Sequence, residues 1–151
     1  MRIAELSPHF RDSLTRLLNE QLTAVLATRS EDELYSCLVS FAFTEDLKGI
    51  VFSTKRQRRK FRDIMRSRSV ALLIDNRRNT PDDITMAKFA TVIGDAIDTE
   101  GTERDRLASI LATRHPHLAN FIAEDDTAII LVQVRKVYLV SDFESVQLIE
   151  V

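Results

Sequence analysis

The chain of 151 residues has no tryptophan, one cysteine, three glycines, three prolines and three histidines. Each scarcity closes a class of function. A single Cys37 excludes an intramolecular disulfide and any zinc centre built on several thiolates. Its place inside an apolar strand reads as a core thiol and not a nucleophile. His9, His115 and His117 form no spaced ligand set with neighbouring carboxylates, so no metal site is expected. His115 and His117 flank Pro116 at a helix break, where a capping or solvent-exposed role is expected. With so few glycines there is no phosphate-cradling glycine loop, and neither a nucleophile elbow nor a Ser-His-Asp order can be read. Low-complexity linkers, repeats and an internal boundary are also missing, so residues 1–151 are expected to form a single domain. No apolar run reaches the length of a membrane span, and MRIAELSPHF lacks the basic-then-apolar layout of a signal peptide. A cytoplasmic protein with no membrane partner is the expectation.

What the chain does have is a hydrophobic fraction of 44%, enough for a substantial core. It also has one conspicuous concentration of charge. Between Lys55 and Arg68 stand eight basic residues against the single acid Asp63, a local +7 that leaves −9 for the remainder of a chain whose net charge is −2. So uneven a distribution points to a local anionic partner, with a solvated cationic helix face as the alternative. Nucleic acid is not the expected partner, because a stacking platform needs interleaved aromatics and Phe61 is the only one in that segment.

The pattern along the chain is mainly β. Ser7 and Pro8 read as the cap and first turn of a helix carrying Phe10, Leu14, Leu17 and Leu18 at helical spacing. Thr23 to Thr28 is a short strand. Tyr35 to Phe43 alternates, with Cys37, Val39, Phe41 and Phe43 on one face and the mostly small Ser36, Leu38, Ser40 and Ala42 on the other. Such a face lets a second sheet, a partner subunit or a flat ligand approach closely. After the turn TEDLKG, Ile50 to Thr54 returns as a strand, and Lys55 to Arg68 reads as a helix burying Phe61, Ile64 and Met65. Ser69 to Asp75, then Met86 to Asp98 with a bulge at Gly94, continue the sheet. Glu103 to Arg114 and a short segment from Leu118 to Ile122 are helical. Thr127 to Val140 and Ser145 to Val151 are the last strands. Six or seven strands joined mainly by hairpins imply a small antiparallel barrel with flanking helices.

The stretch GIVFSTKRQRRK, from Gly49 to Lys60, runs a strand into a hydroxyl pair and then into a cationic helix start. Unpaired N–H groups and the positive end of the helix dipole make such a junction a natural phosphate site.

From Leu38 to Lys60, and onward through RSRSVALLID and KFATVIGDAID, the sequence resembles the flavin-binding split-barrel proteins related to pyridoxamine 5'-phosphate oxidase. The resemblance implies a split β-barrel of FMN-binding type. Leu38, Val39, Ser40 and Phe41 would line the isoalloxazine ring, Ser53 and Thr54 would sit beside the ribityl phosphate, and Arg59 and Lys60 would neutralise it. It further implies a homodimer with flavin at the interface and an FMN-dependent oxidoreductase acting on a small molecule. Deazaflavin or haem are alternative cofactors, and flavin or haem binding without turnover is the alternative function. Some positions depart from the family pattern. The usual serine before the basic pair is Arg58, the ring-contacting glutamine is Phe89, the substrate-phosphate lysine is Phe43, and the C-terminal tryptophan and arginine are missing. Pyridoxamine phosphate oxidation is therefore not expected. RHPHLANF and SDFESVQ look more like the uncharacterised and haem-utilisation branches, and the second resemblance implies a haem ligand as the alternative role of His115 and His117.

Overall fold

The computed structural model describes residues 7–142 and 145–151. The first six residues, and part of the SDFESVQ segment, lie outside the described residues.

Seven antiparallel strands follow a first helix, α1 (Pro8–Glu20). They are β1 (Thr23–Arg29), β2 (Leu34–Phe43), β3 (Gly49–Lys55), β4 (Ser69–Asp75), β5 (Phe89–Asp98), β6 (Thr127–Asp142) and β7 (Ser145–Glu150). Helix α2 (Arg59–Arg66) joins β3 to β4 and a single turn, α3 (Asp83–Met86), precedes β5. Helix α4 (Gly101–Arg114), a 3-10 turn (Pro116–Leu118) and α5 (Ala119–Ala123) cross from β5 to β6. The sheet order β3-β2-β1-β4-β5-β6-β7 closes on itself because β3 also pairs with β6. The result is a six-stranded antiparallel barrel with flanking helices. The long β6 makes it possible: Thr127 to Gln133 pair with β3, and Lys136 to Asp142 pair with β7 beyond it.

Local signals account for much of this. Ser7 accepts a hydrogen bond from the Phe10 N–H at 3.2 Å and caps α1. Phe10, Leu14, Leu17 and Leu18 then enter the barrel core with Leu26, Phe41, Ile50, Phe52, Leu72 and Ile130. Alternate residues of β2, β3 and β6 point the other way. Ala42, Val51, Ile129 and Leu131 pack with Leu107 and Leu111 of α4 and Ile122 of α5. Strands β3 and β6 are thus covered on both faces, which is why IVF and IILV read as continuous apolar runs. The bulge expected at Gly94 is present, as a register shift between Ile93 and Gly94. A Cβ there would lie 2.3 Å from the Gln133 carbonyl oxygen, so this close approach of two strands requires glycine.

Four details depart from the sequence pattern. Lys55 is the last residue of β3, paired with Thr127, and α2 begins only at Arg59. The buried face of α2 is rotated, so that Asp63 (4% exposed) lies inside with Ile64 while Met65 is 50% exposed. Asp63 is tolerated because Thr28 donates to its Oδ2 at 2.8 Å. The strand expected from Met86 starts at Phe89, because the Asp83 carboxylate accepts the N–H groups of Arg78, Asn79 and Thr80 and folds the preceding loop into a turn. His115 is buried at 2% exposure rather than solvent-facing, whereas His117 is exposed.

Candidate functional site

A cleft of about 400 Å³ opens where β3 ends and α2 begins, lined by Tyr35, Ser53, Thr54, Lys55, Arg58, Arg59, Lys60 and Phe121. Its floor is the end of β3. Thr54 is buried and donates its hydroxyl to the Lys55 carbonyl at 3.2 Å. Ser53, one residue earlier and therefore on the opposite face of the strand, is half-buried at the cleft.

The four cations of the cleft differ in what holds them. Lys55 Nζ donates to Asp126 Oδ1 at 2.5 Å and to Glu124, and lies 5.0 Å from the Phe121 ring centre. Hydrogen bonding to Asp126, then to Glu124, raises the Lys55 pKa. Arg59 Nε faces Asp63 at 3.6 Å, a terminal nitrogen faces Glu33 at 3.8 Å, and the guanidinium stacks 4.3 Å over the Tyr35 ring. Arg58 and Lys60 have no acid within ion-pair distance among the described residues. Arg58 occupies the N-cap position of α2 with extended backbone and makes no capping bond through its side chain. The first turn of α2 thus opens on the cleft side with a dipole end that favours negative charge. Every unengaged group here is a hydrogen-bond donor or a cation, the chemistry of an anion site.

Ser53, Thr54, Arg59 and Lys60, anticipated from the sequence, meet in this one cleft. Leu38 to Phe41 do not line it. Val39 and Phe41 are buried in the barrel core, and Leu38 (67% exposed) lines a separate shallow depression with Val25, Leu73 and Arg77. Cys37 is half-buried against the core beneath the cleft, and burial pushes its thiol pKa up against the lowering field of Lys60. Phe89 lies elsewhere, beside Leu73, Ile84 and Ala87. Tyr35, Lys55 and Phe121 also line the cleft, although the sequence pattern does not single them out as site residues. The signal for one contact was present: Asp63, the only acid of the basic run, stands four residues after Arg59, at the spacing of a helical ion pair.

A second polar corner is built from Arg114 and His115, against Phe41 of β2. Arg114 donates to the Leu18 carbonyl at 2.5 Å and to the carbonyls of Asn19 and Gln21, closing the end of α1, and lies over the rings of Phe41 and Phe43. Burial lowers its pKa. His115 Nε2 is 2.7 Å from the Phe41 carbonyl oxygen, which can only accept, so that nitrogen carries the proton. Nε2 so engaged is not available as a haem ligand, which leaves Nδ1 as the ring nitrogen of His115 open to that role. Among the described residues no group of three or more His, Cys, Asp or Glu is placed to hold a metal ion, and no helix is long and apolar enough to cross a membrane.

A family model described as pyridoxamine 5'-phosphate oxidase matches residues 10–141. Among solved structures, a haem-binding protein from Mycobacterium smegmatis is similar with a TM-score of 0.85 at 14% identity, over 96% of this chain and 59% of that one. The general stress protein 26 of Bacillus anthracis gives 0.71 at 20% identity, over 95% and 99%. An FAD-binding protein from Mesorhizobium loti gives 0.65 at 15% identity, over 87% and 90%. At these identities the likeness is one of fold. A search of curated proteins finds no match.

Proposed function

The chain belongs to the pyridoxamine 5'-phosphate oxidase family, and from that premise we propose that it is an FMN-binding flavoprotein, an oxidoreductase of small molecules that works as a homodimer. The observation that carries the reading is the cleft at the start of α2, where Ser53, Lys60 and the first turn of the helix face one volume with no engaged acid among the unengaged donors. That donor set fits a terminal phosphate.

In this reading Lys60 and Arg59 hold the phosphate and Ser53 donates to it. Thr54 lines the floor with its hydroxyl turned to the Lys55 carbonyl. The clamp of Lys55 on Asp126 and Glu124 fixes the wall that carries Phe121. Leu38 and Ser40 meet the ring through outward side chains, and Val39 and Phe41, whose side chains face the core, through backbone alone. When bound, the flavin supplies hydride acceptance and donation, and the protein supplies position and electrostatics. The homodimer is supported by the outer face of the barrel, where Leu38 adjoins Val25 of β1 beside Leu73 of β4, and Leu34 (82% exposed), four residues earlier in β2, lines a second depression with Ala27, Val70 and Ile93, together an apolar surface suited to a twofold partner. Similarity to a haem-binding protein supports a second reading, cofactor binding without turnover.

The visible spectrum of the purified protein, with mass identification of any released cofactor, tests the first reading. The apo-protein should bind FMN at least tenfold more tightly than riboflavin, which lacks the phosphate. Equal affinity for the two removes the phosphate site. Reduction of the bound flavin by NAD(P)H followed by reoxidation separates an oxidoreductase from a carrier.

A further inference from the structure

We propose that Arg58, with Lys60, supplies the net positive charge that the cleft presents to its ligand, and that Arg59 offers the ligand hydrogen-bond donors while its charge is largely cancelled by Asp63 and Glu33. The proposal rests on the cleft being the cofactor-phosphate site.

Four cations line the cleft, and their surroundings divide them in two. Lys55 is held by two carboxylates, and Arg59 faces two more while stacked on Tyr35. Such an Arg59 is fixed in orientation and still offers donors, but its field at the cleft is opposed by a nearly buried aspartate. Arg58 and Lys60 face no acid among the described residues, and both line the cavity. Arg58 also stands where a helix favours serine, threonine, aspartate or asparagine, and it makes no capping bond. The position forgoes the stabilising cap and places a guanidinium over the open first turn. Two uncancelled cations beside a helix start suit a phosphomonoester dianion better than a carboxylate or a neutral ligand.

The test compares Arg58→Ser, Arg59→Gln and Asp63→Asn with the wild-type chain, titrating each apo-protein with FMN and with riboflavin at several salt concentrations and melting each by circular dichroism. Arg58→Ser is expected to melt no lower than wild type, because serine can cap α2. It should bind FMN about tenfold or more weakly, with riboflavin unchanged, since a hydrogen bond to a charged group is lost. The salt dependence of FMN binding should become shallower. Arg59→Gln should cost less FMN affinity than Arg58→Ser. Asp63→Asn keeps an oxygen for Thr28 while removing the charge facing Arg59, so its preference for FMN over riboflavin should rise. Unaltered FMN binding in Arg58→Ser, a larger loss in Arg59→Gln, or an unchanged preference in Asp63→Asn overturns the assignment. A wild-type protein that does not prefer FMN to riboflavin removes the site reading itself, before any variant is compared.

Discussion

The Arg114–His115 corner and the α2 cleft contain the same chemistry in opposite conditions. At the corner, a guanidinium and an imidazole are turned onto backbone carbonyls of α1 and β2, and of the polar atoms there only Arg114 Nε is buried without a partner. At the cleft, Arg58 makes no capping bond, and neither it nor Lys60 has an ion-pair partner among the described residues. Polar groups engaged by the chain's own backbone hold the fold together. Those left open at a concave surface are available to a ligand. A basic residue is therefore to be judged by what already occupies its donors, not by its charge alone.

The sharpest way to break the contrast is Arg114→Ala. It leaves the carbonyls at the end of α1 without their donor and uncovers two aromatic rings, and should destabilise the protein by about 3 kcal/mol or more. The FMN-to-riboflavin affinity ratio of the surviving folded fraction should not change; denaturant titration and fluorescence binding measure the two. The double substitution Arg59→Ala, Lys60→Ala should do the reverse. FMN affinity should fall about a hundredfold, roughly 2.7 kcal/mol, with riboflavin affinity and the melting temperature nearly unchanged. Loss of folding in that variant would mean that α2 depends on its cations for structure. A smaller effect is expected from His115→Gln. Loss of the bond to the Phe41 carbonyl should cost about 1 to 2 kcal/mol and leave any cofactor spectrum unaltered; a changed Soret band would make His115 a ligand after all.

How far this contrast was legible in the sequence depends on how local each determinant is. The Ser7 cap, the stripe of α1, the alternation of β2 and the Gly94 bulge are set by neighbours within a few residues and were readable. So were Ser53, Thr54, Arg59 and Lys60, because strand end, hydroxyls and helix start adjoin in the chain. The start of α2 was not, since Lys55 is claimed for the sheet by Thr127, on a strand adjacent in the barrel but distant in the sequence. The burial of His115 and Asp63 was equally hidden. One needs Phe41 and the other Thr28, partners that only the closed barrel supplies. Phe61, Ile64 and Met65 had the spacing of a buried stripe, but an engaged aspartate turned the helix away from Met65.

Two weaker tests sharpen the comparison further. On the outer face, Leu34→Glu with Leu38→Glu should convert a native dimer into a monomer in light scattering; a wild-type monomer at every concentration would remove the proposed partner. The smallest effect concerns the Lys55 clamp. Asp126 has its pKa lowered, first by the Lys55 hydrogen bond, so its contribution is present above the ordinary carboxylate value of 3.8 and is lost as pH falls through the lower folded value. Lys55 has its pKa raised, so its contribution is present below 10.5 and is lost as pH rises through the higher folded value. Lys55→Met should therefore lower stability slightly across the neutral range, where both contributions are present, and converge on wild type at the acid and alkaline extremes, as followed by thermal melts across pH.

The seam between β3 and β6 has a kinetic consequence. It joins distant parts of the chain, and at its end the clamp links Lys55 to Asp126, 71 positions apart. Contacts of such separation pay loop-closure entropy before they return any stabilisation, so the seam belongs to the slow, late steps of folding. The floor of the cleft, Ser53 to Lys55, is the end of that seam, so the complete cleft exists only once the seam has formed. A ligand that occupies it can bind only the closed barrel and draws the population toward closure by mass action. Amide exchange along Ser53 to Lys55 and Thr127 to Ile129 should slow on addition of FMN more than exchange anywhere in β7, so that the proposed cofactor would also serve as the latch of the barrel.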